Sequence, residues 1–263
     1  MLMTTSGETP VRVTVTDGVA TIVLADPKRR NVLSPAMVSG IIAAYDAAEA
    51  DESVRVVMLT AEGTAFCAGA ELAVLEESAA GDSSGVEMVY RGFLRVVESP
   101  LPTICVINGA AVGAGLNLAL ACDLRLATPA ARFDSRFLTL RLVPGGGHTW
   151  LLERSVGQQA ATAMVVFGDV VDAPEAQRIG LVHRLLPDAE SALAEAHRLA
   201  ANVAGVERAF AVALTSVARR SPRLPAHADA LDLERYAQRW STSRPDFLEG
   251  VGSLRAAVER GRA

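Results

Sequence analysis

The sequence feature that most constrains the fold is a pair of short apolar runs, each followed by a glycine-rich turn. Val54–Thr60 precedes FCAGAEL (residues 66–72), and Thr103–Ile107 precedes NGAAVGAGLNLALACDL (residues 108–124). Apolar runs of this length are typical of strands that are buried on both faces of a parallel sheet. Because parallel neighbours need a long crossover between them, usually a helix, the sequence predicts a β/α fold.

The rest of the first 185 residues fits this alternation of strand and helix. Further strands are predicted at Val11–Val15 and Val19–Leu24, around an Asp17-Gly18 turn, and at Leu124–Ala127. Helices are predicted from a Ser34 cap and Pro35 to about Glu49, at Val86–Glu98, at Leu116–Ala121 and from about Thr149. Turns are predicted at Gly63–Ala70 and Asn108–Gly115, and a mobile loop at Glu76–Gly85.

The chain changes character after Pro187. From Asp188 onward no segment has a strand pattern, and four helices are predicted, at Ala192–Val203, Val206–Arg219, Ala226–Trp240 and Pro245–Val258. The sequence therefore predicts a β/α core over residues 1–187 and a helical region over residues 188–263.

Composition excludes several classes of protein. Half of the 263 residues are apolar and 21% are charged, which is enough for a packed core and excludes global disorder. A net charge of −5 argues against a broad nucleic-acid-binding face but leaves room for a local basic pocket. No apolar run is long enough to span a membrane, and the N-terminus does not resemble a secretory signal. Three cysteines without C-x-x-C spacing argue against disulfides or a metal site, so a cytoplasmic protein is expected.

The two glycine-rich turns are the candidate chemical feature. Small residues before a helix let a ligand approach the backbone, and the first N–H groups of a helix have no internal partner. Two such turns that face each other could hold one oxyanion between two N–H donors. The alternative is that they are only tight turns. A dinucleotide site is not predicted, because Gly113-Ala114-Gly115 lacks the third glycine of that motif.

Taken in order, several motifs give the chain a resemblance to the crotonase (enoyl-CoA hydratase/isomerase) superfamily. The resemblance spans about residues 11–255. It rests on Asn31-Val32-Leu33 after a basic loop, FCAGAEL, INGAAVGAGLNLALACDLRLA, Phe133 with Pro144-Gly145 eleven residues later, and DFLEG near the end. It implies an α/β fold, a crotonase-like ββα spiral core, with a helical C-terminal region that forms a homotrimer or hexamer.

The resemblance also implies a ligand and its binding residues. The ligand is an acyl-CoA thioester whose oxygen is polarised by the N–H groups of Ala70 and Ala114, so CoA belongs to the substrate and no separate cofactor is expected. Lys28 and Arg30 match the segment near the CoA phosphates, which a cationic loop also suits on charge alone. The alternative for them is a solvated basic turn. Two further residues, Ala68 and Leu72, would line the path of the CoA.

Two positions depart from the hydratases of this superfamily, which position water with two glutamates. Those positions hold Asn117 and Phe137, which would still border the substrate. An amide cannot take a proton from water at neutral pH, and a phenyl ring has no acid–base chemistry. Hydration is therefore doubtful.

Another group would have to supply acid–base chemistry. His148, near the position of a catalytic aspartate in related dehalogenases, could face the acyl group as a base, or could cap the following helix or pack quietly. Asp134, Ser135 and Arg136 lie on the segment that carries the second glutamate. Arg136 could pair with Asp134, or one of the three could point inward. Cys67 is interpreted as a packing residue.

Three hypotheses follow for an enzyme or binder of fatty acyl-CoA type. The first is a reaction through a thioester enolate, namely isomerisation, decarboxylation or C–C cleavage, with His148 as base. The second is a weak or substrate-assisted hydratase. The third is an acyl-CoA-binding protein without activity that kept the oxyanion turns. The identity of the acyl group is not determined by the sequence.

Overall fold

The computed structural model describes residues 9–261, which divide into two units after Ala204. Unit 1 contains all the strands of the described chain: β1 (Val11–Thr16), β2 (Val19–Leu24), β3 (Val56–Ala61), β4 (Ala65–Cys67), β5 (Thr103–Ile107), β6 (Ala110–Val112), β7 (Leu124–Ala127), β8 (Arg132–Asp134), β9 (Val171–Asp172) and β10 (Arg184–Leu185). Its helices are α1 (Pro35–Ala50), α2 (Leu72–Ala79), α3 (Ser84–Glu98), α4 (Ala114–Leu120), α5 (Phe137–Leu140), α6 (His148–Val166), α7 (Ala173–Arg178) and α8 (Ala189–Ala204).

The strands form two sheets that the chain visits in turn. The larger sheet has the order β1-β2-β3-β5-β7-β10, and the smaller sheet has the order β4-β6-β8-β9. Pairing is parallel except between β1 and β2 and between β8 and β9. Three successive ββα units each place one strand in the larger sheet and the next strand in the smaller sheet, and each then continues into a helix. This is the ββα spiral that the family resemblance implies, and the α/β fold class is confirmed.

The start of α1 shows how local sequence sets an element. The side chain of Ser34 accepts a hydrogen bond from the Met37 N–H at 3.2 Å, and Pro35 is the first helical residue. Proline is well suited to that position because its missing N–H would have no partner there. The predicted cap is confirmed.

Helix α8 sets the boundary between the units. Ala192, Ala196 and Ala200 recur every four residues on one face and are buried against larger-sheet residues such as Met58 and Val106. The predicted boundary after Pro187 is therefore too early, since a helix that completes the sheet's core belongs with the sheet.

Several segments predicted as loops or turns are regular. The predicted mobile loop at Glu76–Gly85 contains the end of α2 and the start of α3, and only residues 80–83 connect them. Residues 72–79 are good helix formers, and Val74 is buried, which anchors the short helix. Likewise, the predicted turns contain β4 and β6, which have three residues each and so give little periodic signal.

Unit 2 consists of α-helices α9 (Arg208–Arg220), α10 (His227–Thr242) and α11 (Pro245–Glu259), close to the predicted bounds. Only α9 buries residues, Ala211 and Thr215, while α10 and α11 bury none. In the described part of the chain, no helix is long and apolar enough to cross a membrane.

Candidate active site

The two glycine-rich turns leave the same edge of the smaller sheet. FCAGAEL runs from β4 into α2, and the second motif runs from β6 into α4. Because β4 and β6 are parallel neighbours, the segments that follow their carboxyl ends lie side by side. The sheet topology therefore brings the two turns together, as the oxyanion hypothesis requires.

Glycine makes this approach possible. Gly69 has a φ of +94°, and a Cβ there would lie 2.7 Å from the Val112 carbonyl oxygen and 3.6 Å from the Ala114 nitrogen. A Cβ on Gly115 would overlap the Cys67 carbonyl group. Side chains at these two positions would force the turns apart.

Two N–H groups at the meeting point have no acceptor within residues 9–261. They belong to Ala70 and to Ala114, the first residue of α4, and both residues are half-buried. The N-terminus of a helix also carries partial positive charge, although α4 is short. This arrangement has the form of a pair of donors to one oxyanion.

Next to the second turn, four side chains form a buried cluster: Asn117, Ser135, Phe137 and His148. Asn117 Oδ1 lies 2.6 Å from His148 Nδ1, and Ser135 Oγ lies 2.9 Å from His148 Nε2. The Phe137 and His148 rings meet edge to face, with centroids 4.8 Å apart. The structure thus brings together His148 and both positions at which glutamates were expected.

The hydrogen bonds define the protonation of His148. An amide oxygen can only accept, so Nδ1 carries the proton and Nε2 accepts from the Ser135 hydroxyl. Burial lowers the pKa of His148 to about 4, so the ring is neutral at pH 7. Although His148 is the first residue of α6, its ring packs inside the cluster.

The alternatives for residues 134–136 are now resolved. Arg136 Nε donates to Asp134 Oδ2 at 2.8 Å, while Ser135 between them is buried and turned toward His148. Sequence reasoning treated Ser135 and His148 as separate candidates. They lie 13 residues apart, and no sequence pattern joins them.

The basic loop lies against the first glycine-rich turn. The Ala68 N–H donates to the Arg30 carbonyl oxygen at 3.0 Å, and the buried Asn31 amide donates to the carbonyls of Glu62 and Ala65 at 2.9 Å each. The side chains of Lys28 and Arg30 are exposed. The structure thus brings the predicted phosphate-binding loop next to the turn that carries Ala70.

The remaining predictions concern Leu72, the three cysteines and metal ligands. Leu72, at the start of α2, is 65% exposed next to this turn. All three cysteines are free and buried, and burial raises the pKa of Cys67 to about 12, so its thiol stays protonated. Within residues 9–261, no three His, Cys, Asp or Glu side chains gather as metal ligands would.

The structure is thus a two-sheet ββα spiral in which two glycine-rich turns meet at one edge of the smaller sheet. Comparison with known proteins identifies the family: the model for enoyl-CoA hydratase/isomerase matches residues 14–260, and the chain belongs to that family.

Individual relatives cover most of the chain. It is 44% identical over 229 residues, 86% of each protein, to "Probable enoyl-CoA hydratase EchA14" of Mycobacterium tuberculosis. It is 32% identical over 247 residues to the 1,2-epoxyphenylacetyl-CoA isomerase of Escherichia coli, covering 92% of this chain and 94% of that protein. Among solved structures, an enoyl-CoA hydratase from Bacillus anthracis matches with a TM-score of 0.85 and 28% identity, covering 94% of this chain and 96% of that one.

Proposed function

We propose that this protein is an enzyme that binds an acyl-CoA thioester with its carbonyl oxygen between the N–H groups of Ala70 and Ala114. The observation that carries the proposal is the close approach of the two turns, each with an N–H group that has no acceptor in the described chain. Family membership supports a thioester as the ligand. CoA is then part of the substrate, and no separate cofactor is involved.

Such a site favours reactions that pass through a thioester enolate. Donors aimed at a developing oxyanion lower its free energy by about 3–4 kcal/mol each in acyl-transfer enzymes. That stabilisation serves isomerisation, decarboxylation and C–C cleavage equally, and the Escherichia coli relative is named as an isomerase. In these reactions His148 is the candidate acid–base group, because it is the titratable side chain of the buried cluster.

Hydration is the disfavoured reaction. Asn117 uses its oxygen to accept from His148, and Phe137 packs its ring against the same imidazole. Neither can deprotonate water. The same substitutions support the alternative function, an acyl-CoA-binding protein that has no activity.

The test measures binding and turnover on the same panel. Calorimetry with acetyl-, butyryl-, crotonyl- and 3-enoyl-CoA reports affinity, and mass spectrometry of the reaction mixtures reports any product. Saturable binding with conversion of at least one substrate is expected. Binding without conversion selects the non-catalytic alternative, whereas absence of binding to every thioester contradicts the proposal.

We also propose a cytoplasmic homotrimer or hexamer assembled through the C-terminal helices. In unit 2, α10 and α11 have no buried residues, yet they expose apolar side chains, among them Tyr236, Leu248 and Leu254. Exposed apolar surface of this kind is typical of protein interfaces. Light scattering at micromolar concentration should give three or six times the monomer mass, and a monomer would contradict this assembly.

A further inference from the structure

We propose that Ser135, His148 and Asn117 form a nucleophilic triad that hydrolyses the bound thioester, giving the site an acyl-CoA thioesterase activity. This inference rests on the proposed function, because it needs a thioester held at Ala70 and Ala114.

The hydrogen bonds of the triad have the order that nucleophilic catalysis requires. Asn117 Oδ1 holds the Nδ1 proton of His148 at 2.6 Å, and the lone pair at Nε2 faces the Ser135 hydroxyl at 2.9 Å. A serine becomes a nucleophile when an adjacent base accepts its proton and a third group orients that base. All three roles are filled by buried side chains.

Sheet register places the triad next to the oxyanion turn. Val112 of β6 pairs with Asp134 of β8, and the Gly113 N–H donates to the Asp134 carbonyl oxygen at 2.8 Å. Ser135 directly follows the end of β8, and Ala114 lies two residues beyond the end of β6, at the start of α4. The serine and one oxyanion donor therefore follow paired residues of neighbouring strands.

The position of Asn117, the orienting member of the triad, follows from helix periodicity. Asn117 follows Ala114 by three residues in α4, which is just under one turn, so its side chain lies below the oxyanion donor on the same helix. Donor, orienting amide and nucleophile thus come from two adjacent segments. Loop closure onto the site is not needed to assemble them.

The proposed reaction has two steps. Ser135 Oγ attacks the thioester carbon while its proton passes to His148 Nε2, and the oxyanion is held at Ala70 and Ala114. Collapse of this intermediate breaks the C–S bond, and the CoA sulfur takes the proton from His148. Water then attacks the acyl-serine ester while one of its protons passes to His148 Nε2. Collapse of this second intermediate breaks the bond between the acyl carbon and Ser135 Oγ, His148 returns the proton to Oγ, and the carboxylic acid leaves.

The chemistry of the two esters predicts which step is slower. The acyl-serine oxygen ester is less reactive toward a nucleophile than the thioester from which it forms, and Ser135 and His148, each 1% exposed, restrict the approach of thioester and water alike. The orienting group is an amide, which carries no charge to stabilise the imidazolium formed in each step. We therefore expect slow turnover, with deacylation slower than acylation.

Butyryl-CoA is the best probe, since a saturated acyl group offers no double bond to hydrate or shift. Rapid mixing with a thiol-reactive dye should show a burst of CoA equal to the enzyme concentration, followed by a slower steady state. Intact-protein and peptide mass spectrometry should find butyryl on the peptide that contains Ser135.

Variants separate the nucleophile from general effects on folding. Ser135→Ala should lose the burst and the adduct and lower CoA release by at least about 10²-fold. Ser135→Cys should restore acylation, because cysteine supplies another nucleophile at the same atom. Ser155→Ala is the matched control, since that hydroxyl donates to the Leu151 carbonyl oxygen at 3.0 Å within α6. It should behave as the unmodified protein.

The outcomes distinguish this inference from the function on which it rests. CoA release that is unchanged in Ser135→Ala, or absent although calorimetry shows butyryl-CoA binding, overturns the triad and leaves the thioester site intact. Absence of binding to all thioesters overturns both.

Discussion

The two halves of the candidate site are built in different ways. The backbone half consists of the N–H groups of Ala70 and Ala114, placed by the pairing of β4 with β6 and by glycines where the turns meet. The side-chain half, around His148, lies on the same scaffold but holds different residues from the expected glutamate pair. A backbone N–H donor is retained after most substitutions at its position, whereas a single substitution removes a side-chain acid or base. A site built in this way can therefore keep its ligand while its reaction changes.

The largest effect is expected on hydratase activity, because the side-chain half lacks both glutamates. Each positioned acid or base contributes about 10²–10⁴-fold, so crotonyl-CoA should be hydrated at least about 10³-fold more slowly than by a relative with both glutamates. The loss of absorbance of the conjugated thioester measures this rate. Ordinary hydratase turnover would mean that His148 or Asp134 activates the water, and His148→Ala would then test that substitute.

The second prediction concerns the removal of one N–H donor from the backbone half. Ala114→Pro removes one N–H donor, and proline is tolerated at the first position of a helix, so the fold should survive. Loss of one oxyanion donor should lower turnover of any accepted thioester by about 10²–10³-fold. Ala114→Ser keeps the N–H and is the control. Full activity in the proline variant would show that Ala114 is not an oxyanion donor.

The backbone half could be predicted from the sequence more fully than the side-chain half. Its elements are local: a buried strand, a glycine-rich turn and a helix start within about 20 residues, as at Thr103–Ile107 and Ala114. The triad is not local, because His148 lies 31 residues from Asn117 and 13 from Ser135. No periodicity links such positions, so their contact depends on the tertiary structure.

The same reasoning explains the errors in the fold. Strands β4 and β6 have three residues each and lie inside glycine-rich segments, so the sequence pattern of a turn is stronger there than the pattern of a strand. The C-terminal boundary was misplaced for another reason. The sequence shows that α8 is a helix, but only its packing shows that Ala192, Ala196 and Ala200 complete the sheet core.

The third prediction concerns the stability of the side-chain half. The pKa of His148 is lowered from 6.5 to about 4 in the folded protein, because burial disfavours the charged ring. Between these values the unfolded chain binds a proton that the folded chain does not, so the free energy of unfolding falls as pH falls from 6.5 to 4. The loss should reach about 3 kcal/mol and should be absent above pH 6.5.

Urea unfolding at several pH values measures this effect. His148→Gln has no titrating ring, so its free energy of unfolding should depend less on pH over the same window. Acidic groups also titrate near the lower end, and for that reason the difference between the two proteins is the quantity to compare. Parallel curves for both proteins would contradict a buried neutral histidine.

The smallest effect is expected at the basic loop, where Arg30 can act through its backbone carbonyl and through its side-chain charge. Arg30 accepts from the Ala68 N–H through its carbonyl oxygen, which any residue at position 30 would retain, while its guanidinium is exposed. Lys28 is exposed as well. If their charges meet the CoA phosphates, Lys28→Ala and Arg30→Ala should each weaken CoA binding about threefold to tenfold, less at high salt. Arg178→Ala makes the same change in net charge on α7, where Arg178 pairs with Glu175, and it should leave affinity unchanged. Equal, salt-insensitive affinities in all three variants would show that the loop contributes to the site only through its backbone.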